Sequence, residues 1–132
     1  MNTQKSINYD LATEALIDGD VTPTVFEHNY YEFDIQIYDS YPTKTDLSDF
    51  TTFKIGLGNV GSEDEPLVEQ STFVTTDYAT GYITCVMNCA SVALTADMGT
   101  VATKIYALEL KGDDDTTIML TPIYVKNTVY PS

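Results

Sequence analysis

The chain has 132 residues and a formal net charge of −14, from twenty acidic and six basic side chains, with 43% hydrophobic and 11% aromatic content. That length gives one domain with a folded surface of about 7,000 Å² and a core that needs no metal or disulfide staple, and the composition excludes wholesale disorder. All six basic residues are lysines (Lys5, Lys44, Lys54, Lys104, Lys111 and Lys126), so no guanidinium fork serves phosphate or guanine, and the summed field repels nucleic acid and anionic membranes alike.

Taken in chain order, residues 1–24 read as an N-terminal arm. Asp10 is placed to cap a short helix through Leu11, Ala12, Ala15 and Leu16, ending at Asp18-Gly19-Asp20. The clearest strand is Tyr31–Asp39, extended back toward Val25, where Tyr31, Phe33, Ile35 and Ile37 alternate with Glu32, Asp34, Gln36 and Tyr38. A turn at Ser40-Tyr41-Pro42-Thr43 leads to a strand over 51–57 with Phe53, Ile55 and Leu57 inward. A polar connection (Gly61 to Pro66), a weaker strand over 67–75 and a turn at 77–81 follow. Tyr82–Met87 is apolar on both faces, as a central strand is. Residues 88–103 fit either a helical turn or two, carrying Leu94 and Met98, or a strand crossing between sheets. Lys104–Leu110 and Thr116–Lys126 form a hairpin around Gly112-Asp113-Asp114-Asp115, and Pro122 puts the second strand at an edge or a bulge. The reading is an all-β, antiparallel sandwich of about six to eight strands over residues 25–126, with the N-terminal arm and a tail over 127–132.

Few residues offer chemistry. His28 is the single histidine, which leaves no catalytic triad and makes a zinc site dependent on both cysteines and a carboxylate. Cys85 and Cys89, on one extended strand, would be about 13 Å apart and could pair only if the chain turned at Val86-Met87-Asn88, so they read as reduced, buried, small hydrophobes. Three acidic groups, Asp18 with Asp20, Glu63-Asp64-Glu65 and Asp113-Asp114-Asp115, lack EF-hand spacing and read as solvated turns that also discourage edge pairing. Glu32 and Asp34 share a strand face without further signs of a hydrolase site. No nucleotide, metalloprotease or hydrolase motif is present, and no cofactor is implied. Tyrosines outside the core pattern (Tyr9, Tyr30, Tyr38, Tyr41, Tyr78, Tyr124 and Tyr130) suit interfaces or a sugar platform. No run approaches the roughly eighteen apolar residues of a bilayer span, and the residues after Met1 contain no secretory signal core.

The order of segments has a likeness. The strand ending in Tyr38-Asp39 is followed by Asp46-Leu47-Ser48, Thr52-Phe53-Lys54-Ile55 and Pro66-Leu67-Val68. Gly81-Tyr82-Ile83 comes next, then Tyr106-Ala107-Leu108-Glu109-Leu110 paired with Pro122-Ile123-Tyr124-Val125. This resembles the immunoglobulin-like β-sandwich at the N-terminus of bacteriophage baseplate upper proteins and related tail- or head-fibre proteins, over residues 25–128. The resemblance implies a non-enzymatic virion protein, an adaptor, connector or decoration part assembled in the bacterial cytoplasm. Its implied partners are other virion proteins and copies of itself. Within that reading the contact residues expected on the arms are Leu11, Leu16, Val129 and Tyr130, and the competing reading is a carbohydrate- or calcium-dependent binding module.

Overall fold

The computed structural model describes residues 3–17, 22–62, 65–73, 75–113 and 115–127. Among them the strands run, in chain order, as β1 (Thr3–Asp10), β2 (Ala15–Leu16), β3 (Thr24–Phe26), β4 (Tyr30–Ser40), β5 (Thr43–Lys44), β6 (Phe53–Gly58), β7 (Val68–Gln70), β8 (Thr75–Asp77), β9 (Tyr82–Asn88), β10 (Thr103–Gly112) and β11 (Thr116–Lys126). A single 3-10 turn, Tyr78–Thr80, precedes β9, and a helix, α1 (Val92–Met98), separates β9 from β10. The first sheet has the order β2-β1-β4-β9-β8, with β5 also paired to β4; the second has the order β3-β11-β10-β6-β7. The all-β sandwich reading holds.

Strict alternation sets the core. On β4, Tyr31, Phe33, Ile35 and Ile37 are buried, and the first three stand opposite the buried Met87, Cys85 and Ile83 of β9. The facing layer comes from Ile55 and Leu57 of β6, Tyr106, Leu108 and Leu110 of β10, and Ile123 and Val125 of β11. Every one of these is essentially inaccessible, so the period of two along each strand translates directly into a dry interface between two sheets.

Residues 3–17 do not form an arm. β1 lies against β4 in parallel register from Thr3↔Tyr31 to Asp10↔Tyr38, and it buries Ile7 and Tyr9 in the core. The expected helix after Asp10 is instead a turn into β2, with Asp10 Oδ1 accepting from the Ala12 N–H at 3.1 Å. Leu11, Ala12, Glu14, Ala15 and Leu16 suit a helix in spacing and propensity, but seven residues are too few for a stable helix alone, and Ala15 and Leu16 pair with β1 instead. The chain then crosses to the other sheet, where β3 runs parallel to β11. Two of the strand pairings are therefore parallel, not antiparallel, and both are made by this lacing N-terminal segment; parallel neighbours require such a crossover.

Two other boundaries move. β3 and β4 are separate strands because His28, at φ 72°, turns the chain between them. The expected strand over 67–75 is split, with β7 in the second sheet and β8 in the first. Residues 88–103 contain the helical alternative: Ser91 caps α1 by accepting from the Leu94 N–H at 3.3 Å, and Leu94 and Met98, four apart, face the core. Pro122 stands opposite Ala107 of β10, while β3 pairs with β11 only from Tyr124 to Lys126, so no strand partner on the outer side misses the proline N–H.

Candidate interaction surfaces

The two sheets present outer faces of different chemistry. On the first, β4 points Glu32, Asp34, Gln36 and Tyr38 away from the core. The register sets Gln4, Ser6 and Asn8 of β1 on one side of that row and Val86, Thr84 and Tyr82 of β9 on the other, with Asp77 of β8 opposite Tyr82. Gln4 Nε2 donates to Glu32 Oε2 at 3.0 Å. Partial burial, and then the neighbouring Glu32 carboxylate, raise the Asp34 carboxyl above its ordinary range, and the same two acids push up the Tyr82 hydroxyl after burial does. Asp34 Oδ1 is buried and has no hydrogen-bond partner. Lys44, opposite Tyr38, is the lysine at the end of this row. The face is polar and acidic.

The outer face of the second sheet is apolar with lysines around it. Ile105 of β10 and Tyr124 of β11 are directly opposite each other, Leu120 is on the same face, and Phe26 of β3 is opposite Lys126. Each of these four hydrophobics is exposed by 40–44%. Lys54 and Lys111 are paired across β6 and β10. Glu109, nearly buried on this face, accepts from the Thr117 hydroxyl at 2.6 Å and is 3.7 Å from Lys111 Nζ; Glu69 of β7 is the other acid here. The connection after β6 folds over part of the face, with Pro66 Cβ only 3.0 Å from where a Cβ on Gly56 would lie.

Of the expected arm contacts, Leu11 and Leu16 pack, partly buried, against the protein's own core, and they line shallow depressions of about 350 and 380 Å³ on its rim. Val129 and Tyr130 lie outside the described residues, as do Asp18, Asp20, Glu63, Asp64 and Asp114. Asp113 is a structural cap: its Oδ1 accepts from the N–H groups of Thr51 and Thr52 at 2.8 and 3.1 Å. Among the described residues no three His, Cys, Asp or Glu side chains gather as a metal-holding group. His28 is in an exposed turn, 3.4 Å from Glu27 Oε1, and its N–H donates to the Cys89 carbonyl. Cys85 and Cys89 are unpaired and buried, and burial pushes both thiols up to about 12, so neither is a thiolate near neutrality.

Sequence reasoning missed one polar centre. Asp97 of α1 accepts from Lys104 Nζ and the Tyr106 hydroxyl, both at 2.6 Å, and from Asn59 Nδ2 at 3.0 Å. It ties the helix to β10 and to the loop after β6. The four residues are spread over 48 positions and carry no motif, so only the fold brings them together. An open depression of about 620 Å³ lies elsewhere, lined by Phe53, Phe73 and Tyr78 with the hydroxyls of Thr51, Thr52, Ser71 and Thr72. Phe53 stacks on Tyr78 at 4.7 Å. Glu32 and Asp34 line none of these three depressions.

The chain is similar in fold to the N-terminal domain of phage TP901-1 ORF48, with a TM-score of 0.52 over 94% of this chain and 98% of that one. The likeness is one of fold. Sequence identity across it is 12%. No protein-family model and no curated protein sequence matches this chain. No helix among the described residues is long and apolar enough to cross a membrane.

Proposed function

We propose that this protein is a non-enzymatic structural part of a bacteriophage particle, an adaptor or connector of the tail or baseplate that works through protein–protein contacts. The observation that carries the reading is the near end-to-end likeness to a phage protein domain, 94% of one chain on 98% of the other. The surfaces support it. The paired acids lie on an outer sheet face, the thiols are buried and protonated, and Phe26, Ile105, Leu120 and Tyr124 are exposed together on one sheet face. Its partners are other particle proteins and copies of itself, and it assembles in the bacterial cytoplasm. Tagged protein expressed in an infected host is expected to band with particles in a density gradient and to appear in them in stoichiometric amount by mass spectrometry. Tagged protein left wholly in the soluble fraction contradicts the reading.

The aromatic and hydroxyl lining of the 620 Å³ depression favours a second reading, a carbohydrate-binding module. A glycan array probed with and without calcium separates the two, because the structural reading expects no signal in either condition.

A further inference from the structure

We infer that the outer face of the second sheet is a docking surface for the outer face of the first sheet of another copy of this chain. The inference deepens the structural-protein reading and rests on it for its biological setting. The physical case begins with the lysines. The chain has six cations against twenty acids, yet three of the six, Lys54, Lys111 and Lys126, sit on one sheet face. Lys54 and Lys111 stand directly opposite each other, so this face gathers two cations side by side with Glu109 3.7 Å from Lys111 Nζ. On the same face Phe26, Ile105, Leu120 and Tyr124 are each exposed, with Ile105 directly opposite Tyr124.

The complement is on the same molecule. The opposite face carries Glu32, Asp34 and Asp77 with Lys44 at its end, and Tyr38 of β4 and Tyr82 of β9 are its amphipathic contacts. Burial and then the Glu32 carboxylate raise the Asp34 carboxyl, and Asp34 Oδ1 is buried with no hydrogen-bond partner. A lysine arriving from a neighbour relieves the repulsion between the two acids. Because the two faces lie on opposite sides of one sandwich, the contact is head-to-tail, and repetition closes a ring or extends a stack; it does not stop at a two-fold dimer. The net charge opposes association at long range, but at about 0.15 M salt the Debye length is near 8 Å, which screens distant repulsion and spares contact pairs.

Charge reversal tests the inference. Sedimentation at about 0.15 M salt, where contact pairs survive screening, is expected to give the wild-type chain a concentration-dependent mass above the monomer value of 14.6 kDa. Reversing the acidic face (Glu32→Lys with Asp34→Lys) and reversing the lysine face (Lys54→Glu with Lys111→Glu) are each expected to return it to a monomer. An equimolar mixture of the two variants is expected to regain at least a doubled mass, since each now offers the face the other needs. If either reversal unfolds the chain by circular dichroism, Leu120→Ser with Tyr124→Ser replaces it, alters no charge and must also lower the mass. A wild-type monomer at the highest concentration reached, a mass unmoved by the reversals, or a mixture that stays monomeric overturns the inference. A monomer that still bands with particles removes the self-contact alone; a self-associating chain absent from particles removes the structural reading instead.

Discussion

Gly81 is held at φ 69° where β4, the chain before Leu47 and the start of β9 converge, and its carbonyl accepts from the Ile37 N–H. A Cβ there would lie 2.7 Å from both the Ile37 and the Thr45 carbonyl oxygens. Backbone cannot step aside cheaply, and a left-handed conformation adds its own cost. Gly81→Ala is expected to lower the unfolding free energy by about 2–4 kcal/mol in urea denaturation; a loss below about 1 kcal/mol contradicts the geometry. Asp97 gives the second test at this scale. Lys104 first, then the Tyr106 hydroxyl and Asn59, hold its carboxyl at about 2. The folded state therefore binds fewer protons than the unfolded chain between about pH 4 and 2, so the stabilisation is complete above that window and lost as pH falls through it. Because the group is partly exposed, wild type is expected to lose only about 1–2 kcal/mol more than Asp97→Asn between pH 5 and 2. Parallel acid limbs for the two proteins would show that the cluster does not stabilise the fold.

At the scale of elements, the N-terminal segment is the part that most changes what can be expected. β1 supplies Ile7 and Tyr9 to the core and covers one edge of β4 along eight paired residues. Deleting residues 1–16 is expected to cost about 4 kcal/mol or more, from two lost core side chains and an uncovered edge, and to lower or abolish the cooperative thermal transition. A truncated protein melting like the full chain would restore the arm reading. The strands that were legible, β4, β6, β9, β10 and β11, each carry three or more inward apolar residues at alternate positions. β1 has only Ile7 and Tyr9 in phase, with Lys5 completing the row by lying over the Tyr31 ring, so its periodicity is too short to compete with an apparent helix. β7 and β8 look like one strand because nothing in a side-chain pattern records a change of sheet. Ser91 followed by Leu94 and Met98 is a readable cap and stripe, but the intervening valine and threonine suit a strand equally well.

For the whole molecule, sequence alternation says which residues point outward but not which strands are neighbours, and the division into an acidic face and a lysine-edged apolar face depends on the neighbours. Lys54, Lys111 and Lys126 are 72 positions apart at their extremes, and only the order β3-β11-β10-β6 gathers them. The same limit hid Asp97 and its partners. The short edge strands β2, β3, β7 and β8, of two or three residues each, discourage uncontrolled edge pairing. They leave the two broad faces as the surfaces through which this sandwich can be joined to others. Zero-length carbodiimide coupling of an equal mixture of isotopically light and heavy chains tests that most directly, because it links only amines and carboxylates in contact and its mixed-isotope products can come only from different molecules. Mixed products joining Lys54, Lys111 or Lys126 to Glu32 or Asp34 are the expected result; links confined to single chains, such as Lys104 to Asp97, would contradict it.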